Sequence, residues 1–99
     1  MAAFIIRVVL HDASAEDYAA LHDRMRKLVG ARRQILSDSG AWFDLPDAEY
    51  FVRSKQTRQA VFAAAHRASL SVKPKPWPSV LVTEMKGATF RLRKPPAQS

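Results

Sequence analysis

Over residues 4–11 the chain reads Phe-Ile-Ile-Arg-Val-Val-Leu-His, and this stretch decides the fold. Its β-branched residues predict a strand whose side chains alternate between two faces. One face is wholly apolar and is expected in the core: Phe4, Ile6, Val8 and Leu10. The opposite face is mixed: Ile5, Arg7, Val9 and His11. This pattern is typical of a central strand with helices over only one of its faces.

A helix is predicted directly after this strand. Ser14 is the expected N-cap, and Glu16 and Asp17 place carboxylates in the first turn, where they meet the positive end of the helix dipole. Apolar residues then recur at helical spacing, namely Tyr18, Leu21, Met25 and Leu28. Gly30 is the expected stop.

The middle of the chain predicts a β-hairpin. Residues 32–37 are expected to form strand 2, the turn at residues 38–40 reverses the chain, and residues 41–43 pair back. Pro46 interrupts the pairing because proline has no N–H to donate. Strand 3 is expected to follow over residues 47–53, so that strands 2 and 3 form a hairpin with a kink at Pro46.

The second half predicts one more helix and one or two strands. Helix 2 is expected to begin at Ser54 or Thr57 and to run to about Leu70, with a stripe of small residues facing the sheet. The proline-rich segment 73–78 is expected to be extended. Strand 4 follows over residues 79–83 and a fifth, edge strand over residues 89–93. The last residues, 95–99, are expected to be disordered.

The resulting order, β-α-β-β-α-β, predicts an α+β protein of the ferredoxin-like type, with a single domain over residues 1–94. Strands 1 and 3 are expected in the middle of an antiparallel sheet with both helices on one face. The other face would then be open and would expose Ile5, Arg7, Val9, Phe51 and Arg53. Its apolar members, Ile5, Val9 and Phe51, are expected to be covered by a second copy in a homodimer or by the C-terminal strand.

Composition excludes several kinds of site. The absence of cysteine rules out disulfides, thiolate zinc sites and a cysteine nucleophile, and the three histidines are scattered. The first apolar run is too short for a membrane span or a secretory signal. We therefore expect a cytoplasmic protein with no membrane partner and no assigned metal ligand. Whether a divalent metal serves as cofactor is open.

Charge is divided unevenly along the chain. Residues 1–50 carry 6 Lys and Arg against 8 Asp and Glu, whereas residues 51–99 carry 10 against the single acid Glu84. Clustered cations of this kind favour a polyanionic partner, because they release counterions from a phosphate backbone. The partner expected from the charge is therefore a nucleic acid.

Two groups of residues are candidates for binding it. The first combines Arg32 and Arg33 with Arg91, Arg93 and Lys94, since guanidinium groups suit phosphate. An equally good interpretation of Arg91, Arg93 and Lys94 is an edge strand that charge protects from aggregation. The other group is Lys73, Lys75 and Trp77, where the indole offers a stacking surface beside cations or else plugs the edge of the core. The last third of the chain is expected to form one border of the sheet.

The loop after strand 1 holds the candidate catalytic residues. Asp12 could hold a divalent cation or activate water for phosphodiester cleavage, or it could simply make a turn bond to the start of the helix. His11 could act as a general base at neutral pH or be an ordinary surface histidine. No second carboxylate is placed nearby by the sequence. His22 and His66 are expected to be exposed helix residues.

A family resemblance adds to this interpretation. Residues 5–14, followed by a tyrosine-bearing helix, and the later pattern Asp38-Ser39-Gly40-x4-Leu45-Pro46-x3-Tyr50 resemble small bacterial proteins of the GhoS type, the antitoxins of type V toxin–antitoxin systems. The resemblance covers roughly residues 4–85. It implies a ferredoxin-like fold similar to the CRISPR-associated adaptation nucleases and an endoribonuclease activity against a toxin transcript. It also implies that Asp12 occupies the place of their metal-linked aspartate.

Two functions are therefore expected. The first is a small nucleic-acid-binding protein, with RNA favoured, that acts as a GhoS-like endoribonuclease antitoxin. The alternative is a non-enzymatic protein-interaction factor of a phage or mobile element, for which the apolar patch Ile5, Val9 and Phe51 would be the contact surface.

Overall fold

The computed structural model describes residues 1–87, 91, 92 and 94. Its elements in chain order are β1 (Ala2–Val9), α1 (Ala15–Arg24) continued by a π-helical turn (Met25–Val29), β2 (Gln34–Leu36), β3 (Trp42–Asp44), β4 (Glu49–Ser54), α2 (Arg58–Val72) and β5 (Ser79–Met85). The predicted α+β, ferredoxin-like arrangement is confirmed. The pairing of β2 with β3 confirms that the chain pairs back at residues 41–43. The predicted strand 3 is β4, which belongs to the three-stranded sheet.

The central strand of the sheet is β1. It pairs antiparallel with β4 on one side, where Ile6 lies opposite Tyr50, and with β5 on the other, where Ile6 lies opposite Val82. The β2–β3 hairpin is a separate two-stranded ladder. An isolated bridge between Arg32 and Phe51 attaches it to the outer edge of β4. Among the described residues the hairpin and β5 therefore lie at opposite edges of the sheet.

Both helices cover the same face of β1, as predicted. The side chains of Phe4, Ile6 and Val8 are fully buried, and Leu10 is nearly so. They share one core with residues of both helices and of β4: Leu21, Met25, Val61, Ala65, Ala68, Tyr50 and Val52. Burying each large apolar side chain contributes about 1.5–3 kcal/mol to the free energy of unfolding. The residues of this core therefore supply a large part of the stability of the fold.

The helix caps follow the sequence signals. Ser14 and Asp17 form a reciprocal capping box, with Asp17 N donating to Ser14 Oγ at 3.1 Å and Ser14 N donating to Asp17 Oδ2 at 3.0 Å. Gly30 ends the first helical segment at φ +75°, in the left-handed region that glycine adopts without strain. Of the two caps considered for α2, Thr57 is the one used, since its Oγ1 accepts from Ala60 N at 3.1 Å.

Leu28 does not share the burial of the other residues of its apolar stripe. Leu28 is 51% exposed, whereas Leu21 and Met25, which precede it in the same apolar stripe, are buried. The cause is the π-helical turn, in which the hydrogen bonds span one residue more than in an α-helix. This wider turn rotates Leu28 away from the sheet.

The open face of the sheet differs from the prediction at Phe51. Its side chain is only 5% exposed, because the hairpin folds over it and the Trp42 ring meets it edge-on with the centroids 6.2 Å apart. Arg7 and Arg53 are exposed as expected, and Ile5 and Val9 are half-buried. Phe51 is therefore covered within the chain, and the homodimer through this face stays a prediction.

The end of the chain is described only in part. The predicted fifth strand, residues 89–93, and the predicted disordered tail, residues 95–99, lie mostly or wholly outside the described residues. Arg91 and Leu92 are described and belong to no strand. No helix in the described part of the chain is both long and apolar enough to span a membrane.

Candidate nucleic-acid interface

Arg32 is fixed at the junction between the hairpin and the sheet. Its backbone N donates to Phe51 O at 2.8 Å, and Phe51 N donates back to Arg32 O at 2.7 Å. The guanidinium carbon lies 3.8 Å from the centroid of the Trp42 ring, which in turn contacts Phe51. A guanidinium group is thus held against an aromatic ring at the protein surface.

Two surface grooves meet beside Arg32. The first, of about 660 Å³, runs along the end of α1 and is lined by His22, Asp23, Arg26, Ala31, Arg32, Arg33 and Gln34. The second, of about 530 Å³, runs along the hairpin and is lined by Arg33, Gln34, Asp44, Leu45, Pro46, Asp47, Arg91 and Leu92. Arg33 and Gln34 line both grooves, which therefore form one continuous surface. We refer to Arg32, Arg33 and Arg91 on this surface as the arginine track.

Three carboxylates line the two grooves beside the track, those of Asp23, Asp44 and Asp47. Asp23 accepts from Lys27 at 3.1 Å and from Arg26 at 2.8 Å, and these contacts, that of Lys27 foremost, lower the pKa of its carboxyl group. Asp44 accepts from Gln34 Nε2 at 3.3 Å. In the described part of the chain, no carboxylate lies within ion-pair distance of an arginine of the track. Its guanidinium groups therefore remain available to phosphate.

His22 joins the first groove to the core. Its Nδ1 lies 2.6 Å from the Tyr50 hydroxyl oxygen, and the two rings are 5.7 Å apart. Burial lowers the pKa of the imidazole, the charge of Arg33 lowers it further, and Asp47 opposes the shift. Burial also raises the pKa of the Tyr50 hydroxyl. The expectation that His22 is a plain exposed residue is wrong, because its partner comes from β4, 28 residues away.

The C-terminal residues bring further charge to the hairpin. Arg91 lines the second groove, and Lys94 Nζ lies 5.9 Å from the centroid of the Phe43 ring. Arg93 lies outside the described residues. The structure thus places Arg32, Arg33, Arg91 and Lys94 around one hairpin.

Lys73, Lys75 and Trp77 lie elsewhere, at the edge of the sheet formed by β5. The expectation that they share one border with Arg91 is wrong, since the described end of the chain lies at the hairpin instead. Trp77 is 66% exposed, so it does not plug the core. Its ring stacks on His66, which stacks on Phe62. The sequence signal that was missed is the spacing of Phe62 and His66, four residues apart on the outer side of α2.

The candidate catalytic residues are separate from the track. Asp12 is exposed and lies in a turn at φ +53°, a conformation that aspartate tolerates better than most residues. Its side chain makes no hydrogen bond within the described residues, so the predicted turn bond to the helix is not formed there. His11 Nε2 lies 3.0 Å from Ser79 Oγ. Neither residue lines the two grooves, and the described residues contain no group of three side chains suited to hold a metal.

Comparisons with protein-family models, with curated proteins and with solved structures found no match to this chain.

Proposed function

We propose that this protein binds nucleic acid along the arginine track, and that RNA is its ligand. The observation that carries the proposal is the position of Arg33, which lines both grooves between Arg32 and Arg91. Phosphates of one strand could then be contacted in succession by three guanidinium groups. RNA is favoured over DNA by the resemblance to the GhoS-type antitoxins, and a cytoplasmic location is part of the proposal because transcripts are its ligands.

The aromatic residues of the hairpin support this assignment. Trp42 carries the Arg32 guanidinium on its ring, and Phe43 lies beneath the Lys94 ammonium group. Proteins that bind single strands combine such cations with ring surfaces on which bases stack. The hairpin is also anchored to the sheet by two short backbone hydrogen bonds, so the arginine at its base is pre-positioned.

A salt-titrated binding assay tests the proposal. We expect the affinity for a single-stranded RNA to fall steeply with salt, with a slope of about −0.7 per phosphate contacted. Replacing Arg33 and Arg91 together by alanine should weaken binding and flatten that slope. Arg24→Ala is the matched control, because Arg24 is exposed on α1 and lines neither groove. Equal losses in the control and in the double variant would contradict the proposed site.

Endoribonuclease activity stays a prediction carried by the resemblance. Asp12 and His11 would be its catalytic residues, with a divalent metal as the implied cofactor. Incubating labelled RNA with the protein, with and without Mg²⁺ or Mn²⁺, tests it. Metal-dependent cleavage that is lost in Asp12→Ala would support the antitoxin assignment, whereas binding without cleavage would leave a binding protein. The alternative, a protein-interaction factor, predicts a protein partner whose recovery is insensitive to nuclease.

A further inference from the structure

Three aromatic rings form a stack on the surface of α2. The centroids of Phe62 and His66 are 5.5 Å apart with the ring planes at 22°, and those of His66 and Trp77 are 6.5 Å apart at 26°. The two outer rings are exposed, Phe62 by 40% and Trp77 by 66%. The rings are therefore nearly parallel, and the stack ends on an indole that faces solvent.

The backbone holds this stack in place. Phe62 and His66 lie four residues apart on a helix of 15 residues, so they sit one above the other on the same side. Trp77 comes from the segment between α2 and β5, where Pro74, Pro76 and Pro78 restrict the backbone. A ring that is already restricted loses little conformational entropy when a ligand covers it.

The part of the sequence that supplies the stack carries charge of one sign. No Asp or Glu occurs between Glu49 and Glu84, a stretch that includes α2 and the proline-rich segment. The same stretch contains six cations: Arg53, Lys55, Arg58, Arg67, Lys73 and Lys75. Lys75 is exposed and Lys73 half-buried, and both precede Trp77 by four residues or fewer. The ligand that fits this surface is therefore both planar and anionic.

We infer that the Phe62–His66–Trp77 stack binds an unpaired nucleobase on the open face of Trp77, with Lys73 and Lys75 contacting the adjoining phosphates. The inference rests on the proposed ligand class but uses a different site, at the edge of the sheet opposite the arginine track. It also specifies the form of the ligand. A base inside a duplex is already stacked on both sides, so the indole selects single strands.

Trp77 fluorescence tests this directly, because the chain has only two tryptophans, Trp42 and Trp77. In the Trp42→Phe variant all indole emission comes from Trp77. Titration with an oligouridylate of about 12 nucleotides, a length within the range that single-strand-binding surfaces cover, should quench this emission. An oligonucleotide of equal length with abasic sites throughout carries the same phosphates and should leave the emission nearly unchanged.

Binding measurements give the matching energetic test. Trp77→Ala should weaken binding of the oligouridylate roughly tenfold, the scale of one base stacked on an aromatic ring. The same variant should leave binding of the abasic strand and of a duplex RNA unchanged. Trp77→Phe retains an aromatic ring and should recover most of the loss.

The outcomes separate this inference from the proposed function. Unquenched Trp77 emission at saturating oligouridylate, or equal losses for base-containing and abasic strands in Trp77→Ala, would overturn the inference while the arginine track could still bind RNA. A Trp77→Ala loss confined to base-containing strands, together with an unchanged salt slope in the Arg33 and Arg91 double variant, would support the stack and contradict the track.

Discussion

His22 on α1 and Tyr50 on β4 are joined by a contact of 2.6 Å between the imidazole Nδ1 and the phenolic oxygen. This contact links the helix that borders the first groove to the strand that carries the hairpin. It also connects the arginine track to the core. The charge of Arg33, which lines the groove, lowers the pKa of His22, and Tyr50, the hydrogen-bond partner of His22, is buried.

The first prediction concerns stability against pH. The pKa of His22 is lowered in the folded protein from 6.5, mainly by burial. Below pH 6.5 the unfolded chain therefore binds more protons than the folded chain, and the free energy of unfolding decreases as the pH falls. The stability associated with neutral His22 is fully present above pH 6.5, the pKa in the unfolded chain. It is lost as the pH falls through the lower pKa that His22 has in the folded protein. Urea unfolding between pH 7.5 and pH 5 measures it.

The control for this prediction is another histidine. His22→Gln should remove part of the pH dependence, whereas His11→Gln, at an exposed position, should retain it. An identical pH dependence in the wild type and in His22→Gln would show that His22 does not carry it.

The second prediction connects His22 to the ligand. Because the charge of Arg33 contributes to lowering the His22 pKa, Arg33→Gln should raise that pKa. A bound phosphate beside Arg33 should have the same effect, so RNA should raise the His22 pKa in the wild type. An NMR titration of the imidazole signals, with and without RNA, checks both. Arg24→Gln should leave the pKa of His22 unchanged. An unchanged His22 pKa in the RNA complex would show that no phosphate binds beside Arg33.

The success of the sequence in predicting the fold has a local origin. The alternation over residues 4–11, the Ser14 cap and the Gly30 stop each depend on residues close together in the chain, and each is confirmed. The Phe51 error has a distant origin. Its cover is the Trp42 side chain, and the hairpin reaches it only through the bridge between Arg32 and Phe51.

The same distinction applies to the candidate sites. Composition indicated arginine and lysine as the binding residues, but it could not show that Arg33 lies between two grooves. Trp77 was a candidate from its neighbours Lys73 and Lys75, yet its contacts come from α2, through a helix that ends five residues earlier. Phe62 and His66 share a helical spacing, but a side chain that meets them across a turn leaves no periodic signal. The place of Trp77 in the stack therefore had to be seen in three dimensions.

The third prediction concerns the first helix. Ser14→Ala removes the acceptor for Asp17 N, and loss of such a cap costs about 1 kcal/mol. Asp17→Ala should cost a similar amount through loss of the reciprocal bond and of the carboxylate at the helix start. Because the two side chains form one capping box, the double variant should cost less than the sum of the single changes. Urea unfolding of all four proteins at pH 7 measures this coupling, and strict additivity would show that the box does not act as a unit.

The last prediction separates the charge of Arg32 from its shape. The guanidinium carbon lies 3.8 Å from the centroid of the Trp42 ring. A guanidinium group is a planar cation, whereas a lysine ammonium group is a compact point charge. Arg32→Lys should therefore retain the salt dependence of RNA binding but weaken the affinity a few-fold, since the stacked geometry is worth about 0.5–1 kcal/mol at an exposed site. Arg32→Ala should lower the affinity further and reduce the salt slope by about 0.7. Trp42→Phe retains a ring beneath the cation, and its affinity for RNA should fall between those of the wild type and of Arg32→Lys.

Because the backbone of Arg32 carries the bridge to Phe51, circular dichroism of each variant should confirm that the hairpin is retained. If Arg32→Lys and Arg32→Ala gave the same slope as the wild type, Arg32 would not contact phosphate, and the track would be reduced to Arg33 and Arg91.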